Sequence, residues 1–400
     1  MSYIIDGLRS PIGNFTGTLS AVRTDDLAAY PMRALMAKYP QLADEIDDVI
    51  LGCANQAGED NRNVARMALL LAGLPTSVPG ETVNRLCSSG LSAAVHAHRA
   101  IRAGEGDLFI AGGVENMTRG PWVISKTSSA FGRDAQMYDS SFGWRFINPA
   151  LDALYGSDGM GETAENLVDL YKISREDQDL FAYRSQMKAA AAQKNGRLAK
   201  EIVPVEIPQR KKDPIIFAQD EFIRADSSLE VLAKLRPAFR KTGGSVTAGN
   251  ASGLNDGAAA LLIASEHAMK KHGLKAMSKI LSSGVVGVEP RIMGIGPVKA
   301  SELALKRAGL SMKDMDVIEL NEAFAAQSLA CTRAMGLKDD DPRVNPNGGA
   351  IALGHPLGMT GARLLLSASI ELQEQQKRYA LVTMCVGVGQ GYAAVIERVS

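Results

Sequence analysis

The sequence predicts an α/β protein built from two similar halves, each of which alternates strands with helices. Short apolar runs of strand length recur between segments of helical periodicity, as expected for sheets covered by helices. Residues 48–50 and 316–318 both read DVI, and each aspartate lies 39 positions before a candidate catalytic residue, Cys87 or His355. A helix and a glycine-ended strand follow each of these two residues. We therefore expect two parallel-type sheets whose reactive loops face each other.

The elements of the first half follow in order. Residues 3–6 form a short strand, and Thr24-Asp25-Asp26 is a helix-start signal for a helix that runs to about residue 38. The other predicted elements are a strand at 48–52, a helix at 64–72, a helix from the Cys87 segment to Ile101 and a buried strand at 107–113.

The regular alternation of apolar strands and helices stops between residues 118 and 245. Aromatic residues, among them Trp122, Phe131, Trp144 and Phe146, stand there among glycine, serine and charged residues, and a helix follows at 175–193. We interpret this part as an inserted domain. The predicted boundaries are 1–117 with 246–270 for the first half, 118–245 for the inserted loop domain and 271–400 for the second half.

Regular alternation returns after the insertion. The predicted elements are strands at 258–264 and 316–320, a helix at 297–308, a helix that starts near Asn321, a glycine-rich loop at 347–358, a helix at 360–374 and strands at 380–384 and 392–398. Their order around His355 repeats the order around Cys87, which favours an internal duplication.

The composition excludes several classes of partner. Basic and acidic side chains number 44 each, so no net field attracts nucleic acid or an anionic membrane. The start of the chain has no basic region followed by a long apolar core, and no stretch is long enough to span a bilayer. We therefore expect a cytoplasmic protein with neither nucleic acid nor a membrane as its partner.

The four cysteines are the next signal. Cys53, Cys87, Cys331 and Cys385 lie far apart without a Cys-x-x-Cys pair, which argues against both a zinc site and a disulfide framework. We predict no metal. Cys87 lies at the start of a predicted helix, where the helix dipole and unpaired N–H groups favour a thiolate. A buried structural cysteine is the alternative at this point.

Four motifs carry the chemistry: VNRLCSSGL at 83–91, NEAF at 321–324, GHPLG at 354–358 and CVGVGQG at 385–391. In these motifs, and over nearly its whole length, the chain resembles the thiolase superfamily. The resemblance implies the thiolase fold, in which two duplicated halves form a five-layered αβαβα core with a loop domain inserted in the first half. It also implies a homotetramer built from two tight dimers.

The resemblance implies a role for each motif. Thiolases cleave a 3-oxoacyl-CoA through a cysteine, so Cys87 would be the nucleophile, His355 its base and Cys385 the acid and base at carbon. Asn321 would hold a water at one oxyanion site, and the N–H groups of Cys87 and Gly387 would form the second. A core histidine, a buried strand-end cysteine and, for Asn321, a helix cap are the structural alternatives.

Three other classes of protein share part of this pattern. GVGQG at 387–391 resembles a dinucleotide fingerprint, but a strand follows it where such a motif requires a helix. A binding or scaffold protein that kept the fold would be favoured by loss of a cysteine or of the histidine, and all are present. A related ketoacyl synthase would use a different residue set with one cysteine, so Cys385 argues for a thiolase.

Coenzyme A is then a co-substrate, and no cofactor is expected to be tightly bound. The resemblance assigns its contacts to Met160, Arg224, Phe239, Ala248, Gly249, Ala251, Ser252, Ala323 and Phe324. Two positions depart from many acetoacetyl-type thiolases: Gly159 precedes Met160 where they have histidine, and Val231 replaces a CoA-contacting serine.

The substrate is suggested by CANQAGEDNRNVAR at 53–66 and GWRFINP at 143–149. These segments are similar to thiolases of aromatic-compound degradation that cleave 3-oxoadipyl-CoA. That substrate ends in a carboxylate, and burying it without a cation costs several kcal/mol. Arg133 and Arg145 in the inserted segment are the candidates, with surface or inter-subunit arginines as the alternative. A general acetyl-CoA C-acetyltransferase, or a thiolase of fatty-acid metabolism, stays the alternative function.

Overall fold

The computed structural model describes residues 1–399. Its strands are β1 (Ser2–Arg9), β2 (Gly13–Asn14), β3 (Asp48–Gly52), β4 (Gly80–Val83), β5 (Leu108–Asn116), β6 (Trp122–Ile124), β7 (Met137–Asp139), β8 (Val205–Gln209), β9 (Lys212–Phe217), β10 (Asn255–Ser265), β11 (Ser278–Gly287), β12 (Val317–Leu320), β13 (Tyr379–Val386) and β14 (Gln390–Arg398). Its helices are α1 (Thr24–Lys38), α2 (Val64–Ala72), α3 (Ser89–Ala103), α4 (Pro149–Tyr155), α5 (Met160–Tyr171), α6 (Arg175–Lys194), α7 (Leu229–Ala233), α8 (Glu266–His272), α9 (Gly296–Ala308), α10 (Ala325–Ala334), α11 (Ala350–Leu353) and α12 (Leu357–Glu374).

Each half contributes its own run of strands. The first half has the order β4-β3-β5-β10-β1 with β2 beside β10, the second has β11-β14-β13-β12, and β1 pairs with β11 to join them. Parallel pairing is confined to β3 with β4 and β5, and to β12 with β13. The expectation of parallel-type sheets is therefore wrong for β10 and β14. The short turn between β13 and β14 forces an antiparallel pair, because a parallel pair needs a long crossover.

The expected five-layered αβαβα core is confirmed by the way the strands divide their side chains. On β3, Ile50 faces the central core, while Val49 and Leu51 face the outer core that contains α1 and α2. This alternation with a period of two buries both faces of the sheet. Helices α3 and α12 fill the centre, where α12 packs on β5 and β10 of one half and on β12 and β13 of the other. Helix α9 covers the outer face of the second half.

The duplication places two loops next to each other. In both halves a strand, a helix and a parallel strand recur, with β3, α3 and β5 matching β12, α12 and β13. Helix α3 begins two residues after Cys87, and α12 begins two residues after His355. The two helices approach closely at their first turns, since a Cβ atom on Gly90 would lie 2.5 Å from the carbonyl oxygen of Gly358. Glycine is therefore required at position 90.

The inserted segment forms small elements rather than a further large sheet. It contains the hairpin of β6 and β7, the hairpin of β8 and β9, and helices α4 to α7. Its hairpin β8–β9 packs Val205, Ile207 and Phe217 into the outer core of the first half. The exact boundaries of the three predicted domains stay a prediction. Among residues 1–399, no helix combines the length and the apolar character that crossing a bilayer requires.

Candidate active site

Cys87 lies in a tight turn, Leu86–Ser88, immediately before α3. Leu86 has a φ of 46°, in the left-handed region that a branched side chain rarely adopts. Two side chains hold this strained residue: the Oδ1 atom of Asn84 accepts its N–H at 2.8 Å, and the hydroxyl of Ser89 donates to its carbonyl at 2.7 Å. The nucleophile turn, which we define as residues 84–89, is therefore fixed before any substrate binds.

The sulfur of Cys87 faces the second half of the protein. The backbone N–H of Gly387 points at it, and the turn packs against β13, which carries Cys385. Burial raises the pKa of the Cys87 thiol to about 11, although the N–H groups of Gly387 and of Cys87 itself lower it. The donors at the helix start thus favour the thiolate, as expected, but they do not set the sign of the shift. Desolvation of the charged sulfur outweighs the favourable donors.

Cys385 is fully buried near the end of β13. Burial raises the pKa of its thiol well above the ordinary value, and a thiolate at Cys87 would raise it further. The structure therefore brings both cysteines together as neutral thiols. Cys53 and Cys331 are also buried and free, and Cys331 bonds to the Gly294 carbonyl at 3.1 Å.

His355 is buried and has partners on both ring nitrogens. Its Nδ1 atom lies 2.7 Å from the hydroxyl of Thr360, and that hydroxyl donates its hydrogen to the Pro356 carbonyl at 2.8 Å. Thr360 can therefore only accept from the ring, which places the ring proton on Nδ1. The Nε2 atom then carries a lone pair, and the Nδ2 group of Asn321 lies 3.3 Å from it. Burial, followed by the charge of Arg363, lowers the pKa of His355 to about 3, so the ring is neutral.

Asn321 lies in the loop between β12 and α10. Its N–H donates to the Thr383 carbonyl at 3.0 Å, and its side-chain amide meets His355. Helix α10 begins only at Ala325, after Phe324, so the predicted helix start at Asn321 and its interpretation as a cap are wrong. The Oδ1 atom of Asn321 is buried without a hydrogen-bond partner among the described residues. Leaving such an acceptor unpaired costs about 1–3 kcal/mol, so a water or substrate donor would stabilise it.

Four of the nine predicted coenzyme A contacts converge near Cys385. Ala251, Ala323 and Phe324 share one buried cluster with Cys385. Phe239 packs edge-to-face on Phe324 with ring centroids 6.0 Å apart.

The remaining predicted contacts lie around this cluster or apart from it. The backbone N–H of Ser252 donates to the Ala323 carbonyl at 2.9 Å. Ala248 is exposed, and Gly249 is buried against α7. Arg224 is exposed beside Phe222, 5.7 Å from the centre of its ring. Among the described residues, Arg224 makes no hydrogen bond, ion pair or cation–π contact with the cluster around Phe324.

The inserted segment reaches the turn after β13. Trp144 and Met160 line a narrow groove together with Val388, which follows Gly387 in that turn. The neighbouring Arg145 donates to the Ser140 carbonyl at 3.2 Å and to the side-chain and backbone oxygens of Asn55 at 3.1 and 3.4 Å. All three acceptors are neutral. Arg133 is exposed and makes no hydrogen bond or ion pair with the described residues.

Sequence reasoning missed residues that support this site. Thr360 fixes the proton of His355, and its position on the first turn of α12 was the available signal. Glu115 is a buried carboxyl inside β5, and its signal was a charged residue in an otherwise apolar strand. Neither belongs to a motif of reactive residues, so only the contacts reveal them.

A thiol and a neutral histidine on two loops that approach each other, since Gly90 meets Gly358, are groups suited to acyl transfer through cysteine. Residues 2–267 match the family model of the thiolase N-terminal domain, and residues 274–398 match that of the thiolase C-terminal domain. The chain belongs to the thiolase family. It therefore has the thiolase fold and is an acyltransferase.

Individual relatives match over the whole chain. The 3-oxoadipyl-CoA/3-oxo-5,6-dehydrosuberyl-CoA thiolase of Escherichia coli (strain K12) is 60% identical over 399 residues, which is 100% of this chain and 99% of the relative. A beta-ketoadipyl-CoA thiolase of Acinetobacter baylyi is also 60% identical with the same coverage. The crystal structure of the Bacillus anthracis acetyl-CoA acetyltransferase superposes with a TM-score of 0.92 at 40% identity, covering 100% of this chain and 98% of that one.

Proposed function

We propose that this thiolase cleaves 3-oxoadipyl-CoA with CoA to give succinyl-CoA and acetyl-CoA, in aromatic-compound degradation. The observation that carries the proposal is the 60% identity, over the full length, to relatives named for this substrate. An acetyl-CoA acetyltransferase of Chromobacterium violaceum is 46% identical over 396 residues. The higher identity to the relatives named for 3-oxoadipyl-CoA than to this acetyltransferase favours the dicarboxylate substrate.

The first half-reaction uses Cys87 and His355. The Nε2 lone pair takes the thiol proton while the sulfur attacks the ketone carbon C3 of the substrate. The C2–C3 bond then breaks, the electron pair stays on C2 as the acetyl-CoA enolate, and the thiol of Cys385 protonates that carbon. The succinyl group remains on Cys87 as a thioester. The neutral ring that accepts the proton is the state that burial of His355 imposes.

The second half-reaction returns both protons. The Cys385 thiolate takes the proton of the incoming CoA thiol, and the CoA sulfur attacks the succinyl carbonyl on Cys87. The Cys87 sulfur leaves and recovers its proton from His355. The N–H of Gly387, which faces the Cys87 sulfur, would stabilise the oxyanion of this step. In the first half-reaction, a water on the free Oδ1 of Asn321 would, together with His355, stabilise the thioester oxygen of the substrate.

Coenzyme A would lie along the cluster next to Cys385. The pantetheine chain would pass close to the backbone at the small residues Ala251 and Ala323, beside the rings of Phe239 and Phe324. Exposed Arg224 would meet the nucleotide end of the molecule. The other proposed contacts in this set are Met160, Ala248, Gly249 and Ser252.

Arg145 is the better candidate for the distal carboxylate of the substrate. Its guanidinium is held by neutral oxygens only, so no carboxylate of the described residues competes for it. Trp144 beside it already reaches the groove at Val388. Arg133 is exposed and has no partner that orients it among the described residues.

The test compares kcat/KM for 3-oxoadipyl-CoA, uncharged 3-oxohexanoyl-CoA and acetoacetyl-CoA. We expect the dicarboxylate to be preferred. Arg145→Met should lower its kcat/KM about tenfold to a hundredfold, because a hydrogen-bonded charge contributes about 1.5–3 kcal/mol. Arg133→Met is the matched control and should change little. Equal cleavage of the uncharged six-carbon chain would contradict the specificity, and a best rate with acetoacetyl-CoA would favour a general acetyl-CoA C-acetyltransferase.

We also propose a cytoplasmic homotetramer in which the aromatic part of the insertion joins two dimers. Trp122 and Phe131 are at least 70% exposed in the single chain, and Phe146 is 50% exposed. Large apolar side chains grouped on one exposed segment are typical of protein interfaces. Light scattering should give four chains for the wild type and two for Phe131→Ser with Phe146→Ser. A monomer at micromolar concentration would contradict the assembly.

A further inference from the structure

Glu115 is a buried carboxyl group that the proposed reaction steps do not use. It lies near the end of β5 and is 1% exposed. Burial raises the pKa of this group to about 7, so its ionised form is costly. The contacts of this carboxyl group inside an apolar strand must therefore offset the free-energy cost of its burial.

Those contacts join two separate loops. The Oε2 atom accepts the N–H of Ala54 at 3.0 Å and the N–H of Gly358 at 2.8 Å. The Oε1 atom accepts the N–H of Asn55 at 3.0 Å. Gly358 comes three residues after His355, whereas Ala54 and Asn55 follow β3 in the other half of the protein. One carboxylate therefore connects the histidine loop, residues 354–358, to the loop after β3.

The loop after β3 leads on to two further parts of the site. The carbonyl of Ala54 accepts from the side-chain amide of Asn84 at 3.0 Å, and Asn84 in turn holds the strained Leu86 beside Cys87. Asn55 holds the guanidinium of Arg145 through both of its oxygens. Each of these connections is a direct hydrogen bond, so a shift of residues 54 and 55 would move the nucleophile turn and Arg145 together.

We infer that Glu115 is a positioning residue that sets the nucleophile turn, the histidine loop and Arg145 in register through one buried carboxylate. Its action on Arg145 rests on the proposed function, while its action on Cys87 and His355 does not. Dicarboxylate specificity and the geometry of the nucleophile turn then both depend on Glu115.

A neighbouring carboxyl group provides the matched control. Asp60 is also buried, and the thiol of Cys53 lies 3.4 Å from its Oδ2 atom and 4.0 Å from the Oε1 atom of Glu115. The other partners of Asp60, the N–H groups of Gln56 and Gly58, belong to its own loop. The group formed by Cys53, Asp60 and Glu115 is compact enough to suggest a metal site, but backbone donors already occupy both carboxylates. Asp60→Asn thus perturbs the same pocket without touching the histidine loop.

The experiment measures three quantities in Glu115→Gln, Glu115→Asp and Asp60→Asn. These are kcat with 3-oxoadipyl-CoA and with 3-oxohexanoyl-CoA, the ratio of their kcat/KM values, and the rate at which iodoacetamide alkylates Cys87. Glutamine turns one acceptor oxygen into a donor that opposes a backbone N–H, and aspartate is too short to reach both loops. We expect both Glu115 variants to lose about tenfold to a hundredfold in kcat, since a misplacement of about 1 Å can cost that much.

We further expect the rate of Cys87 alkylation to change in both Glu115 variants, and both to lose the preference for the dicarboxylate substrate. Asp60→Asn should show neither effect. Unchanged kcat, preference and alkylation in folded Glu115→Gln would overturn the inference, as would equal losses in Asp60→Asn. If the wild type shows no dicarboxylate preference, the proposed function fails, while kcat and alkylation still decide the role of Glu115. Should Glu115→Gln not fold, Asn55→Ala isolates the branch to Arg145. That variant should lower the preference and leave Cys87 alkylation unchanged, and an unchanged preference would contradict that branch.

Discussion

The Nε2 atom of His355 lies 3.3 Å from the side-chain amide nitrogen of Asn321, and the two residues come from loops of the same half that are 34 positions apart. The amide N–H can donate only if Nε2 carries a lone pair. The hydroxyl of Thr360 secures that state from the opposite side of the ring, because it accepts the proton of Nδ1. The ring is thereby neutral with a lone pair on Nε2, which is the state that the proposed transfer of the Cys87 proton requires.

Replacing Thr360 with valine should therefore slow the enzyme without unfolding it. The variant keeps the shape of the side chain and removes the acceptor that fixes the ring proton. We expect kcat to fall about tenfold, the effect of one hydrogen bond of about 1.4 kcal/mol. Thr332→Val is the control, since Thr332 is equally buried and its hydroxyl donates only to the Leu329 carbonyl. Equal kcat values for the two variants would argue against a role for the tautomer.

Cys87 should carry the acyl group. Incubation with 3-oxoadipyl-CoA or acetyl-CoA, followed by peptide mass analysis, should find the acyl group on Cys87, and Cys87→Ser should lose at least about 10³-fold in kcat. Cys331→Ser serves as the control, because that thiol bonds to the Gly294 carbonyl instead. Acylation of Cys331, or acylation of the serine variant at the wild-type rate, would remove Cys87 from the mechanism.

Cys385→Ala should separate the two kinds of chemistry. Acylation of Cys87 by acetyl-CoA needs no proton transfer at carbon, so its rate should survive better than the rate of C–C cleavage. We expect cleavage of 3-oxoadipyl-CoA to fall about 10²- to 10⁴-fold, as for the loss of a general acid or base. Rapid acylation can be followed by release of CoA. An equal loss of both rates would show that Cys385 supports the nucleophile rather than the enolate.

The pH dependence of Cys87 alkylation tests the effect of burial. The pKa of this thiol is raised to about 11 in the free protein, so the thiolate is a minor species at neutral pH. The rate with iodoacetamide should then rise about tenfold per pH unit from pH 7 to 10, because the thiolate is the reacting form. Cys87→Ser gives the background rate. A plateau already reached near pH 8 would mean that the helix start and Gly387 outweigh desolvation.

The architecture could be read from the sequence because it depends on local and periodic signals. The helix at 64–72 and the strand at 48–52 have the predicted bounds. Matching DVI strands and equal spacing to Cys87 and His355 indicated the duplication, since a repeated chain segment repeats its fold. The boundaries of the elements and the directions of the strands were harder to predict from the sequence. The reversed strands β10 and β14 depend on how the chain returns to the sheet, which apolar patterning does not record.

The candidate reactive residues could also be named from the sequence, because their motifs are specific in combination. Their electrostatic states were decided by the tertiary structure alone. A helix start favours a thiolate, yet Cys87 has a raised pKa because the second half of the protein closes over it. Asn321 satisfies a helix-cap pattern, yet its amide meets His355.

The supporting residues Thr360 and Glu115 were likewise visible only in three dimensions. Glu115 bonds to Gly358, which is 243 positions away in the chain, and so connects two loops that no local pattern relates. Desolvation and hydrogen bonding act through space at distances of a few ångströms. The sequence by itself therefore determined the fold and the chemical groups, and the packing of the two halves decided the protonation, orientation and partners of those groups.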